Sequence, residues 1–195
     1  RIHYTKIDHV YSMGDQGPWA MVKGQPEDDP KFVASANYTA KMMYFFLSAP
    51  YNLTHRSIVP REVGPVQWGG RLFDAVKIGF KDDALLWPED EMIIWVDRAS
   101  GLIDRFFYKS TNPAARFEGE APHYIWIRWS NYRPLDGIPL ARNWEFIRAD
   151  AQGKPSQSIY NMEIVEATAN RDYLPVLFRK PVFVPPESEL PVLER

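Results

Sequence analysis

The sequence predicts an α+β fold that is mainly antiparallel β, in which a strongly curved or half-closed sheet packs against one helix. Three observations lead to this fold class. Short apolar runs with a period of two are separated by turn dipeptides, one early segment has helical periodicity, and aromatic residues make up 14% of the chain. Strands joined by tight turns with one helix give a layered antiparallel domain.

The bulk composition limits the classes of function. A chain of 195 residues fits one domain, and we expect a single domain over residues 1–195. Its formal net charge of -2 provides no basic excess for a nucleic-acid partner. The absence of cysteine excludes disulfides, thiolate metal sites and a cysteine nucleophile. No run approaches the roughly 20 apolar residues of a transmembrane helix.

The N-terminal part predicts short strands. Arg1 to Tyr11 has a mixed apolar pattern that favours a strand, and its lack of a leader leads us to expect a truncated N-terminus whose targeting signal is missing. Met13 to Pro18 has turn composition, and Trp19 to Gly24 follows as a short strand. Gln25 to Pro30 is predicted to be a polar loop between two prolines.

One segment, Lys31 to Ser48, predicts a helix. Its alanines and methionines favour helix, Asp29 can cap its start, and Pro50 is expected to end it. The predicted apolar stripe consists of Val33, Ala36, Ala40, Met43 and Leu47.

The rest of the chain predicts hairpins. Gly69-Gly70 and Asp136-Gly137 are turn dipeptides between apolar runs, and Gly101 supplies the left-handed position in the hairpin Met92 to Tyr108. The proline-rich tail, residues 174–195, predicts an extended arm because proline removes ladder donors.

The chain contains no motif of a known catalytic or metal site. Its four histidines lack metal-site spacing, so no metal and no cofactor are expected. Neither a GxSxG elbow nor a phosphate-binding glycine loop occurs. The acidic clusters lie in loops and are interpreted as solvated.

The strand HYIWIRWSNY has bulky side chains on both sides. Tyr124, Trp126 and Arg128 share one face, whereas Ile125, Ile127 and Trp129 share the other. For any single ring a place in the core is favoured over a ligand site. As a group, such rings with a few polar atoms are typical of a largely apolar cavity.

Two stretches then resemble a known family. The hairpin MIIWVDRASGLIDRFFY (Met92 to Tyr108) and the turn WSNYRPLDGIPLARNWEF (Trp129 to Phe146) are similar to those of the bacterial LolA-like group, the outer-membrane lipoprotein carrier and sorting proteins and their secreted relatives. The strand GRLFDAVKIGF (Gly70 to Phe80) precedes them in the order found in that group. The match covers Lys31 to Val165.

The resemblance implies an incomplete, half-closed β-barrel with the helix packed on its concave side. It also implies a protein of the periplasm or bacterial cell envelope that holds a lipid, an acyl chain or another hydrophobic ligand, and possible contact with another envelope protein. In the carriers of this group the apolar interior accepts lipoprotein acyl chains.

We therefore predict a non-enzymatic binding protein with an aromatic-lined cavity, in which Arg128 offers a cation to a carboxylate or phosphate head. The predicted lining residues are Phe46, Trp95, Tyr124, Trp126, Arg128 and Trp144.

Two other readings remain open at this stage. A lipid or glycan hydrolase would use loop carboxylates such as Asp82, Glu89 and Asp90 as acid and base. A protein-interaction module without a ligand would expose an apolar patch around Leu174 to Pro185.

Overall fold

The computed structural model describes residues 2–4, 9–14, 17–81, 87–115 and 122–167. The chain forms two compact units, one containing residues 1–43 and the other residues 44–172. A single domain over the whole chain stays a prediction, and the predicted arm at residues 174–195 lies outside the described residues.

The first unit contains a small antiparallel sheet and most of a helix. Its strands follow one another in the order β1-β2-β3-β4, each paired with the next. They are β1 (Ile2–Tyr4), β2 (His9–Gly14), β3 (Gly17–Val22) and β4 (Gln25–Glu27).

Strand β4 corrects the predicted loop from Gln25 to Pro30. Lys23 and Gly24 both have positive φ, 50° and 76°, which makes a two-residue turn and pairs Val22 with Gln25. Pro26 is tolerated because β4 is an edge strand that needs no donor on its outer side. The sequence analysis did not predict this turn, because lysine seldom adopts a positive φ.

Helix α1 (Pro30–Leu47) matches the predicted helix almost to the residue. The Oδ1 atom of Asp29 accepts a hydrogen bond from the Lys31 backbone N–H at 2.9 Å, which is the expected N-terminal cap. The predicted apolar stripe is partly wrong, because Leu47 is 46% exposed whereas Phe45 and Phe46 are fully buried. Helix α2 (Ala49–Asn52) follows, with Pro50 in its first turn, where a missing N–H costs nothing.

The second unit contains a seven-stranded antiparallel sheet in the order β11-β10-β9-β8-β7-β6-β5. The sheet is not closed into a barrel, which confirms the predicted mainly antiparallel, incomplete architecture. Each strand pairs with its neighbours in sequence. They are β5 (Ile58–Trp68), β6 (Arg71–Phe80), β7 (Glu91–Asp97), β8 (Ile103–Ser110), β9 (His123–Leu135), β10 (Ile138–Ala149) and β11 (Pro155–Glu163).

One side of this sheet, here called the buried face, forms a dense aromatic and aliphatic core. The last turn of α1 packs on it, and the ring centroid of Phe46 lies 5.1 Å from that of Phe106 and 6.3 Å from that of Trp144. The sheet residues of this face are Ile78, Phe80, Met92, Ile94, Phe106, Tyr108, Ile125, Ile127, Trp129, Trp144 and Phe146, all buried.

The opposite side, here called the open face, carries the alternate residues of the same strands. Strand register aligns Ala75, Trp95, Arg105, Arg128 and Glu145 in one row across the central five strands. Because side chains alternate along a strand, this row lies on the side of the sheet away from Phe46.

Candidate ligand-binding site

The predicted lining residues are divided between the two faces. Phe46 and Trp144 lie on the buried face, where they are 0% and 1% exposed. Trp95, Tyr124, Trp126 and Arg128 lie on the open face. The structure thus brings together the strand aromatics that share a face, and it places the helix residue and Trp144 on the other side of the sheet.

Phe46 and Trp144 have the surroundings of core residues. A side chain without accessible surface lines no cavity that admits a water molecule. The indole N–H of Trp144 donates to the Ala141 carbonyl at 3.0 Å, and its ring stacks on Trp129 at 5.1 Å. The polar atom is satisfied and the ring is packed, as a buried tryptophan requires.

The open face contains a groove with a volume of about 220 Å³, here called the aromatic groove. It brings together three of the predicted residues with rings and chain segments that the sequence analysis did not select. Its lining consists of Trp68, Trp95, Arg105, Trp126, Arg128, Ile147, Gly153 and Pro155.

The tryptophans of this groove hold one another in position. The ring of Trp95 lies 5.1 Å from that of Trp126 and 6.2 Å from that of Trp68, in edge-to-face arrangements. The indole N–H of Trp126 donates to the carbonyl of Gly153 at 2.8 Å. Gly153, at φ 80°, belongs to the turn between β10 and β11, so this hydrogen bond holds that turn against Trp126 in the aromatic groove.

Tyr124 lies beside the groove and is not part of its lining. Its ring stacks on Phe107 with centroids 6.1 Å apart, and Phe107 in turn lies 4.9 Å from Trp126. The aromatic surface therefore continues from Trp126 along the open face.

Arg105 sits at the centre of the rings. Its guanidinium carbon lies 5.2 Å from the Trp95 ring centroid, and 5.9 to 6.0 Å from those of Trp68, Phe73 and Trp126. Its Nε donates to Asp104 at 2.7 Å, and its side chain is 18% exposed. Cation–π contacts of this kind strengthen as water is removed, so the guanidinium is well fixed.

Arg128 is placed directly opposite Arg105 in the pairing of β8 with β9. It contacts Glu145 on the neighbouring strand β10, with 2.5 Å between nitrogen and oxygen. The Arg128 side chain is 55% exposed and that of Glu145 is 26% exposed, so solvent screens this pair.

A second groove of about 400 Å³, here called the polar groove, adjoins the first and shares Arg105 and Arg128 with it. Arg71 donates there to Asp97 at 3.0 Å and to Asp104 at 2.7 Å. The backbone N–H and the hydroxyl of Ser100 also donate to Asp97, and together with Arg71 they hold the pKa of Asp97 below its ordinary value. Two carboxylates converge here on the guanidinium of Arg71, and Asp104 also pairs with Arg105.

The carboxylates of the hydrolase reading are placed differently. Asp82 lies outside the described residues, Glu89 is exposed, and Asp90 is 1% exposed. Asp90 accepts hydrogen bonds from the Tyr108 hydroxyl and from the Thr111 backbone N–H, the latter at 2.7 Å. Burial raises the pKa of Asp90. Neither Glu89 nor Asp90 lines the aromatic or the polar groove.

Trp68 and Arg105 are the aromatic and the charged residue of the lining that sequence reasoning missed. The signal for Trp68 was available, because the Gly69-Gly70 turn fixes the pairing of β5 with β6 and so places Trp68 on the face of Trp95. The signal for Arg105 was not. Counting outward from the turn at Gly101 would place Asp104 opposite Trp95, and only a bulge brings Arg105 to that position.

The described part of the chain has neither a membrane-spanning helix nor a cluster of metal ligands. None of its helices is long and apolar enough to pass through a membrane. Among the same residues, histidine, aspartate and glutamate side chains form no group of three that could hold a metal ion.

No protein-family model matches the chain, and no curated protein matches it. Two solved structures are similar to it. A LolA superfamily protein from Nitrosomonas europaea is 12% identical with a TM-score of 0.40, over 65% of this chain and 50% of that one. An outer-membrane lipoprotein-sorting protein domain from Vibrio parahaemolyticus is 12% identical with a TM-score of 0.35, over 58% and 45%.

The chain thus matches half or less of the length of these two proteins. One of the two is described as a LolA superfamily protein and the other as a lipoprotein-sorting protein domain, the group whose hairpin and turn motifs this sequence resembles.

Proposed function

We propose that this protein is a binding protein of the periplasm or bacterial cell envelope that holds the hydrophobic part of a small ligand in the aromatic groove. The observation that carries the proposal is the contrast in burial. Three tryptophans line an open groove, whereas the rings of the opposite face are packed among themselves. Exposed grouped aromatic surface is costly in water and is typical of binding sites.

The size of the groove limits what it holds. A volume of about 220 Å³ is below the range of about 300 to 1,000 Å³ that is typical of sites for drug-sized molecules. We therefore propose that a single ring or a short segment of an acyl chain occupies it. The rest of a lipid or lipoprotein would extend along Phe107 and Tyr124 or into solvent.

Of the predicted lining residues, Trp95, Trp126 and Arg128 form the proposed site, and Tyr124 extends it. Phe46 and Trp144 support it from the other side of the sheet by fixing the strands on which the site is built. The proposal contains no catalytic step, since the carboxylates near the grooves are held by arginines.

Nuclear magnetic resonance of the tryptophan indole N–H groups tests this proposal. The chain has seven tryptophans, whose signals single Trp→Phe variants would assign. We expect octanoate to shift the signals of Trp68, Trp95 and Trp126 and to leave that of Trp144 in place. The variant Trp95→Ala should abolish saturable binding.

Two results would overturn the proposal. One is the absence of any saturable shift at millimolar octanoate. The other is a shift confined to Trp144, which would place the ligand on the buried face and return the site to an internal cavity.

A further inference from the structure

The arrangement of two arginines points to a second property of the same site. Arg105 and Arg128 are directly opposite each other on paired strands, and both line the aromatic groove and the polar groove. Like charges directly opposite in a sheet are destabilising. The repulsion between the two arginines decreases when anions lie close to both guanidinium groups.

Two carboxylates of the protein reduce this repulsion in part, because each of them contacts one of the two arginines. Asp104 engages Arg105 through Nε, and Glu145 engages Arg128 from the neighbouring strand. Within the described part of the chain, the terminal nitrogens of Arg105 have no hydrogen-bond partner. Both arginines line both grooves, so the terminal nitrogens of Arg105 are donors available to a ligand there.

We propose that Arg105 and Arg128 form a subsite for an oxyanion, a carboxylate or a phosphate, carried by an amphiphile whose apolar part lies in the aromatic groove. This inference rests on the proposed function and specifies its ligand class. Guanidinium groups bind both anions through paired N–H donors, and an anion in the lining that the two grooves share could accept from either arginine.

The surrounding charges favour an amphiphile over a free anion. Arg71, Arg105 and Arg128 face Asp97, Asp104 and Glu145, so the two grooves are neutral before a ligand arrives. No net field draws a free anion in, and the apolar part must supply much of the affinity.

The two arginines have different parts in this subsite. Arg105 is wedged between rings and stays in place. The side chain of Arg128 is 55% exposed and reaches solvent, whereas the paired oxygen of Glu145 is buried, so Arg128 can turn one face of its guanidinium to a ligand oxyanion while it stays near Glu145.

Titration calorimetry with octanoate, octyl phosphate and octanol tests the inference, because the three share one apolar body. A charge-assisted hydrogen bond corresponds to about a tenfold change in affinity, so we expect octanoate or octyl phosphate to bind at least about tenfold more tightly than octanol. The more tightly bound of the two identifies the oxyanion. Added salt should reduce this advantage.

Three variants sharpen the test. Arg128→Gln should remove the advantage of the anions, measured within the variant as the ratio of the dissociation constants of octanol and of each anion. Glu145→Gln removes the competing carboxylate and should tighten octanoate binding, a gain that misfolding does not produce. Arg98→Gln is the matched control, because Arg98 pairs with Asp74 on the surface and lines neither groove.

The outcomes separate the two proposals. Equal binding of octanol and both anions overturns the oxyanion subsite and leaves the proposed function intact. Absence of binding by all three overturns the proposed function itself. Inorganic phosphate competing as well as octyl phosphate would overturn the amphiphilic part of the inference.

Discussion

The two faces of the seven-stranded sheet are both rich in rings, yet they differ in what those rings contact. On the buried face, Phe46 from α1 lies within 6.3 Å of three sheet aromatics and has no exposed surface. On the open face, Trp68 is 53% exposed, and its ring contacts the guanidinium of Arg105. Arg105 thus packs among the rings of this face as Phe46 does among those of the buried face.

This difference shows that aromatic density alone does not identify a core. Alternation along a strand assigns residues to the same face, but burial depends on what another element places over that face. Here the last turn of α1 supplies that cover on one side only, among the described residues of the second unit. The predictions below test how far the two faces differ.

The largest difference should appear when one ring is removed from each face. We expect Phe46→Ala to lower the free energy of unfolding by about 3 to 5 kcal/mol, because it leaves a cavity among packed rings. Trp95→Ala removes a larger ring but should cost clearly less, because water can fill the space. Urea unfolding of both variants measures this, and equal losses would contradict the contrast between the faces.

The next largest effect concerns the polar group at the border of the buried face. Tyr108→Phe removes the hydroxyl that donates to buried Asp90, and we expect a loss of about 1 to 3 kcal/mol. Tyr132→Phe is the matched control, since its hydroxyl donates to the backbone carbonyl of Ile103 in a partly buried hydrogen bond and not to a carboxylate. A smaller loss for Tyr108→Phe than for this control would argue against a special role for the buried hydrogen bond.

Opposite pH dependence should distinguish a carboxylate near each face. Burial raises the pKa of Asp90, so its stabilising contribution is complete below the unfolded pKa of about 4 and is lost as pH rises through the folded pKa. Hydrogen bonds from Ser100 and then Arg71 lower the pKa of Asp97, so its contribution is present above about pH 4 and is lost as pH falls.

Urea unfolding from pH 3 to pH 7 measures both effects. The stability of the unmodified protein relative to Asp90→Asn should decrease as pH rises, whereas its stability relative to Asp97→Asn should increase. Parallel profiles for the two variants would contradict the assignment.

The smallest effects are expected among the arginines of the open face. Arg71→Gln leaves two largely buried carboxylates without a shared cation and should lower the unfolding midpoint. Arg98→Gln breaks a pair exposed on both sides and should cost only about 0 to 1 kcal/mol. If Arg98→Gln proved more destabilising than Arg71→Gln, the difference in carboxylate burial would not govern these pairs.

Much of the fold could be predicted because it depends on local signals. The glycine turns fixed the hairpins of β5 with β6 and β9 with β10, and alanine, methionine and the cap at Asp29 fixed α1. Strand β4 was missed because its turn has lysine at a left-handed position, which a residue pattern seldom reveals.

The candidate site could be predicted only in part. Trp95, Trp126 and Arg128 lie on one face and line one groove, and their role in binding a ligand stays a prediction. The shared face of Trp126 and Arg128 followed from period-two alternation, which is a local property. Phe46 and Trp144 were grouped with them because composition does not tell on which side of a sheet a helix packs. Trp68 and Arg105 required the register of separate hairpins to be combined.

The sequence by itself determined the antiparallel hairpins, the helix and the assignment of residues to alternating faces, because these follow from backbone conformation and short-range spacing. Only the tertiary structure decided which face became the core and which became a groove. That choice depends on where the end of α1 packs and on how Arg105 fits between Trp68 and Trp126, and both are contacts between residues far apart in the chain.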